Sequence, residues 1–98
     1  ADRFNDGKRK YSLIDFKALE GMVEVLEAGA RKYSPDNWKK GLPTNEIFES
    51  MMRHLVELQA GNELDEETGL HHTGHVLCNA MILAYMYQSK REFISWNT

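Results

Sequence analysis

HHTGHVLCN, residues 71–79, is the stretch whose reading decides the fold and whether the chain holds a site or only a polar seam. Taken as α-helix at about 100° per residue with His72 at zero, His75 falls near −60°, Asn79 near −20°, Leu83 near +20° and Met86 near −40°. Two imidazoles and a carboxamide thus share a face with apolar residues. A buried carboxamide without a partner costs on the order of 1–3 kcal/mol, so a second polar surface is expected to meet this one.

Upstream, the periodicity predicts two more helices. The first runs from about Phe16 to Arg31, with Phe16, Leu19, Val23, Leu26 and Ala30 at three-and-four spacing and Asp15 as N-cap. The loop KYSPDNWKKGLP follows, punctuated by Pro35, Asn37, Gly41 and Pro43. Thr44 or Asn45 is expected to cap a second helix over about 45–60, striped by Ile47, Met51, Leu55 and Leu58 and stopped at Gly61-Asn62. An acidic connection, ELDEETG, leads to the third helix, about Leu70 to Lys90, where Val76, Ala80, Leu83 and Tyr87 continue the apolar side. The tail REFISWNT is expected to dock Phe93, Ile94 and Trp96 on the bundle or on another subunit. No segment alternates with period two, so the reading is all-α, an antiparallel bundle of three main helices. Three such helices leave one flank thin, and five methionines suit completion by dimerisation.

Composition bounds the function. With 98 residues the chain reads as one helical domain, residues 1–98, with a flexible basic segment over 1–10. A net charge of −3 argues against a general nucleic-acid binder. Cys78 is the sole cysteine, which excludes an internal disulfide framework and fits a reducing cytosol; it is expected to be a buried, inert thiol. No apolar run approaches the roughly 20 residues of a membrane span, and the start at Ala1 reads as a charged segment, not a signal sequence. The expected location is the cytoplasm.

On the second helix His54 lies at the edge of the apolar stripe with Ser50 and Glu57 beside it, so two polar seams are placed to face each other. The sharp reading is a site in the bundle core, with His72 and His75 sharing a cation and His54 or Glu57 adding a ligand. The plain reading is mutual hydrogen bonding at a helix interface. Lys17, Glu20, Glu24, Glu27 and Arg31 fall on one face of the first helix, either a carboxylate rack for Mg²⁺ or a solvated face of ion pairs; Glu24 is kept as a candidate. Glu49, Arg53 and Glu57 make either i, i+4 ion pairs or, through Arg53, a bidentate phosphate contact. The loop sets Arg31, Lys32, Lys39 and Lys40 next to Tyr33 and Trp38, charge for phosphates and π-faces for a base, or simply an exposed loop with one anchoring aromatic. Lys8, Arg9 and Lys10 ahead of Tyr11 form a second basic stretch. Asp65, Glu66 and Glu67 read as a hard-cation site or as a solvated acidic turn before the last helix.

The order KYSLID, ALE, VLEAGARKYSPDNW, RHL, LDEETGL and HHTGHVLCNA resembles the phage and prophage domain called the dATP/dGTP diphosphohydrolase N-terminal domain, over about residues 7–88. The resemblance carries a GA-x-KY-x-x-x-NW stretch, an RHL on the next helix and an H-x-x-H-x-x-CNA on the last. It implies an all-α protein related to the MazG-like nucleoside triphosphate pyrophosphohydrolases, which cut a nucleoside triphosphate to monophosphate and pyrophosphate with Mg²⁺. Such enzymes hold magnesium through E-x-x-E and E-x-x-D pairs. Here the corresponding helices offer Arg53, His54 and Glu57, and His72, His75 and Asn79. Either the carboxylates come from Glu24, Glu57 and Asp65, or the metal is softer, or hydrolysis is lost while a nucleotide pocket persists.

The resemblance therefore implies a nucleotide-binding phage protein that hydrolyses dATP or dGTP with Mg²⁺ as cofactor; Mn²⁺ or Co²⁺ is the alternative ion, and with the readings above the expected form is a homodimer or homotetramer in the host cytoplasm. His54, Glu57 and His75 are the expected catalytic groups. Lys32, Tyr33, Asn37, Trp38, Lys39, Arg53, His72 and Asn79 are the expected ligand contacts, and Glu24, Glu57 and Asp65 the metal ligands. The alternative is an inactive module that sequesters a nucleotide or cyclic nucleotide without a metal. Neither membrane nor nucleic acid is an expected partner.

Overall fold

In the computed structural model of the chain, residues 7–94 are described, with side chains as far as Ser89. The side chains of Phe93 and Ile94, the whole of Trp96 and residues 1–6 of the segment 1–10 lie outside what is described, so the expected docking of the tail falls there too. Three helices account for the architecture: α1, Glu20–Lys32; α2, Thr44–Gln59; and α3, His72–Ile94. The described residues contain no strand, only an isolated antiparallel bridge between Leu64 and His71.

Local sequence explains most of the boundaries. Asp15 caps as expected, its carboxylate accepting from the Lys17 N–H at 3.1 Å. The turn it caps is a 3₁₀ turn over Phe16–Leu19, and the α-helical part begins only at Glu20. At the start of α2 the cap is Pro43, with no side-chain bond, so neither Thr44 nor Asn45 performs that task. Proline needs no N–H there and its fixed φ already matches a helix entry. Gly61 ends α2 as read: its φ is 94°, its N–H donates to Leu58 O at 3.0 Å, and the Asn62 N–H donates to Glu57 O at 2.9 Å. That pair of bonds is a Schellman motif, which needs a residue at ease with positive φ.

Helix α3 lies between the other two. His54 meets His72 and Ser50 meets Asn79, so α2 and α3 run antiparallel; Gly21 meets Gly74, and Met22, Val25 and Leu26 pack on the Cys78 and Ile82 cluster, so α1 runs parallel to α3. The order is up, down, up, as three helices with short connections should give. The core is Ile47, Cys78 and Ile82, at 2%, 7% and 8% exposure, surrounded by Met22, Val25, Leu26, Trp38, Leu83 and Met86.

This arrangement corrects all three stripes: on α2, Ile47 is buried and Met51 and Leu58 half-buried as read, but Leu55 stays 46% exposed. On α1 the inward residues are Met22, Val25 and Leu26, while Phe16 and Val23 remain 63% and 46% exposed. Both sets obey helical spacing; the choice is made by Gly21, whose backbone lies against that of Gly74. A Cβ on Gly74 would stand 2.5 Å from Gly21 O and 2.7 Å from its carbonyl carbon. On α3, Cys78 and Ile82 are the buried hydrophobic residues, whereas Ala80 and Tyr87 are exposed, because a central helix buries two flanks rather than one stripe. Cys78 is buried as expected, and burial pushes its thiol up from the ordinary cysteine value.

Candidate functional site

The connection between α2 and α3 is closed on itself by backbone bonds. The His72 N–H donates to Glu63 O and the Asp65 N–H to Leu70 O, both at 2.8 Å. Inside that clasp Asp65 and Thr68 form a tight turn. Asp65 Oδ2 accepts from the Thr68 N–H at 2.8 Å and from its hydroxyl at 3.0 Å, and the Gly69 N–H donates to Asp65 O at 2.8 Å. Side-chain to backbone bonds of this kind are what Asp and Thr favour in turns. Their effect here is to lay Asp65 Oδ1 toward α2, 4.0 Å from His54 Nδ1. At the same junction His71 Nδ1 accepts from the Thr73 N–H at 3.1 Å, satisfying a donor at the start of α3.

The two polar seams meet. His54 Nδ1 lies 2.7 Å from His72 Nδ1, and His72 is 4% exposed. One ring donates and the other accepts, which is the partner a buried imidazole requires. The rings of His54 and His75 stack with centroids 4.3 Å apart and planes 1° from parallel. Further along, the Asn79 amide donates to Ser50 Oγ at 3.3 Å, answering the carboxamide that the helical wheel places among apolar side chains.

Thr68 fixes the state of His75. Its hydroxyl lies 3.0 Å from Asp65 Oδ2 and 2.8 Å from His75 Nε2. A hydroxyl has one proton, and an ionised carboxylate can only accept it. Thr68 Oγ1 therefore accepts from a His75 Nε2–H, and Nδ1 of that ring keeps the lone pair. Burial lowers the His75 pKa below the ordinary imidazole value, against the opposing pull of Asp65. His54 is lowered by burial and by neighbouring His75, again opposed by Asp65. Burial pushes the Asp65 carboxyl up, but the hydrogen bonds from Thr68 and the adjacent His75 and His54 leave it below its ordinary value. At neutral pH the cluster thus holds two neutral imidazoles beside a carboxylate.

These groups form the floor of a cleft of about 740 Å³, lined also by Ser50, Arg53, Glu57 and the connection from Gly61 to Thr68. Its rim is acidic, through Glu57, Glu63, Glu66 and Glu67. Among the described residues Arg53 makes no ion pair with Glu49 or Glu57, so the i, i+4 pairing open to it is not formed. The convergent donors are His54, Asp65 and His75, one atom from each lying within 4.8 Å of the others. This set does not fit Mg²⁺, which takes an octahedral shell of oxygens. Two of its three atoms are imidazole nitrogens, and the carboxylates that would suit magnesium are exposed at the rim.

The aromatic loop builds a different place. A groove of about 850 Å³, mostly apolar, is lined by Val25, Leu26, Tyr33, Asn37, Trp38, Cys78 and Met81 among others, and shares no lining residue with the imidazole cleft. Trp38 is half-buried, edge-on to Tyr85 with centroids 5.0 Å apart, and Lys39 Nζ sits 5.5 Å from its ring. Lys32 Nζ lies 5.3 Å from the Tyr33 ring. Of the residues expected to form one pocket, Arg53, His54, Glu57, Asp65, His72 and His75 gather in the cleft, Tyr33, Asn37 and Trp38 line the groove with Lys32 and Lys39 beside them, and Asn79 sits at the α2–α3 interface. Glu24 is exposed on α1 and lines neither. Thr68 was missed, although an Asp with a Thr three residues on is a readable turn signal.

The model of the family described as dATP/dGTP diphosphohydrolase, N-terminal, matches residues 1–95. The chain belongs to the dATP/dGTP diphosphohydrolase N-terminal family. A relative from Salmonella phage PMBT28, named dATP/dGTP diphosphohydrolase, is 35% identical over 88 residues, covering 90% of this chain. The family domain here spans only 30% of that relative's length. No solved structure matches the chain. Among the described residues, no helix is long and apolar enough to cross a membrane.

Proposed function

We propose that this domain handles the triphosphate of a purine deoxynucleotide, dATP or dGTP, and takes part in its hydrolysis to monophosphate and pyrophosphate. The observation that carries the reading is the meeting of Arg53, Glu57, His54 and His75 in one cleft of a chain belonging to this family. Arg53 is suited to bidentate contact with phosphate oxygens. His54 or His75, kept neutral by burial, is suited, when its free lone pair is not holding a cation, to take the proton of a water that attacks the α-phosphorus as the bond to pyrophosphate breaks. The acidic rim repels a bare triphosphate, so binding there calls for cations to accompany the phosphates.

Assembly belongs to the same reading. Phe48, Met52, Leu55 and Val56 lie along one face of α2 at 43%, 48%, 46% and 65% exposure. An apolar face of that kind is what a second copy of the chain would cover, giving a homodimer or homotetramer.

Binding without turnover is a second reading, favoured by the groove beside Tyr33 and Trp38, where lysines and aromatic faces could receive a nucleotide without any metal. One experiment separates the two. The protein is incubated with dATP and dGTP in the presence of Mg²⁺, Mn²⁺ or Co²⁺, and products are resolved by anion exchange. Monophosphate and pyrophosphate that disappear in Glu57→Gln are expected. Intact nucleotide recovered after metal-independent binding measured by calorimetry would instead establish sequestration. If neither triphosphates nor cyclic nucleotides raise the melting temperature, both readings fail, since a ligand that prefers the folded state must raise it.

A further inference from the structure

Asp65, His54 and His75 come from three different elements, the connecting turn, α2 and α3, yet they converge without satisfying one another. His54 Nδ1 and Asp65 Oδ1 are 4.0 Å apart, beyond hydrogen-bonding distance. The stacked rings of His54 and His75 present faces, not N–H groups, to each other. Among the described residues, both hydrogen bonds to the Asp65 carboxylate go to Oδ2, which leaves Oδ1 without one on the side of the imidazoles. The three are thus tied through Thr68 and His72 and not by hydrogen bonds to one another.

We propose that one ring nitrogen each of His54 and His75 and a carboxylate oxygen of Asp65 bind a divalent transition ion of borderline softness, the Zn²⁺ class, with its remaining positions open to the cleft. Imidazole with a single carboxylate is the donor set such ions prefer, and three protein ligands with an open position is the arrangement of reactive sites. The three donor atoms lie within 4.8 Å of one another. Donors about 2.0–2.1 Å from a tetrahedral ion stand roughly 3.3–3.4 Å apart, so closing the set needs shifts of about an ångström together with a turn of one imidazole out of the parallel stack, so that both in-plane lone pairs aim at the ion. The supports that orient ligands are already built. Thr68 links the Asp65 carboxylate to His75 Nε2, and buried His72 backs His54. Such outer contacts hold tautomer and ring orientation in metal sites.

The inference rests on the chain alone and its test contains no nucleotide, so it can fail while the hydrolase reading stands, and the reverse. The protein is stripped with chelator, dialysed, and titrated separately with Zn²⁺, Co²⁺ and Mg²⁺ by calorimetry and thermal shift. One equivalent of Zn²⁺ or Co²⁺ per chain is expected, with a raised melting temperature and a visible ligand-field spectrum for Co²⁺ in low coordination. Mg²⁺ should bind at least about a hundredfold more weakly, since it takes oxygen ligands. Asp65→Asn and His75→Asn should each weaken Zn²⁺ by more than about tenfold. His71→Asn, outside the trio, should leave it unchanged. Should the site variants fail to fold, the Co²⁺ spectrum of the unmodified protein decides alone. Sub-stoichiometric Zn²⁺ binding, Mg²⁺ binding of equal strength, or a Co²⁺ spectrum of an all-oxygen octahedral shell overturns the proposal.

Discussion

Replacing Gly74 with alanine tests the helix crossing on which the cleft depends. The new Cβ would stand 2.5 Å, 2.7 Å and 3.2 Å from the O, C and Cα of Gly21. Ordinary contacts of these atoms are about 3.4–4 Å, so α1 and α3 must part by close to an ångström, and what stands in the way is backbone that cannot rotate aside. Overpacking of this kind costs about 1–3 kcal/mol, partly offset by up to about 1 kcal/mol from the better helix propensity of alanine. The net loss should be roughly 1–2 kcal/mol, which in a domain of this size lowers Tm by about 4–16 °C. Gly21→Ala is gentler, its Cβ meeting Gly74 Cα at 3.3 Å, and Gly29→Ala meets nothing within 4 Å and should be neutral or slightly stabilising. Gly74 lies between His72 and His75, so its replacement should also displace the pair bonded across α2 and α3. The assay is urea and thermal unfolding of the three variants followed by circular dichroism. A Gly74→Ala protein as stable as the parent, or less affected than Gly21→Ala, would refute the crossing.

Two further outcomes follow from the same contacts. The folded pKa values of His54 and His75 lie below 6.5, so the unfolded chain takes up protons first as pH falls; in chelator, their contribution to stability is full above about pH 6.5 and is lost as pH drops through that value toward the lower folded ones. Asp65, lowered from 3.8, acts in a separate, more acidic window, and urea melts on either side of pH 6.5 should therefore show a loss that is smaller in His75→Asn. Trp38→Ala removes a half-buried ring packed on Tyr85 and the core, and should cost roughly 2–3 kcal/mol, short of the 3–5 typical of a fully buried aromatic, while leaving Zn²⁺ affinity unchanged because the groove and the cleft share no lining residue.

What the chain determined locally was legible without coordinates. The existence of three helical segments, the Asp15 cap and the Gly61 stop depend on residues within a turn or two of each other, and they stand where the sequence puts them. That the seam of His54 and Ser50 would face the seam of His72, His75 and Asn79 was legible too, because polar groups set on apolar helix faces must answer one another; the pairing of His54 with His72 and of Ser50 with Asn79 came from the tertiary structure. Tertiary structure decided the rest. Helical spacing on α1 fits two neighbouring faces equally well, and the glycine-to-glycine approach with α3 selected Met22, Val25 and Leu26 over Phe16 and Val23. The turn that carries Asp65 to His54 and His75 closes through backbone bonds that no periodicity encodes. Whether Trp38 would share a pocket with the histidines depended on which flanks of a central helix its two neighbours cover, and a linear pattern carries no information about the angle between helices it does not connect.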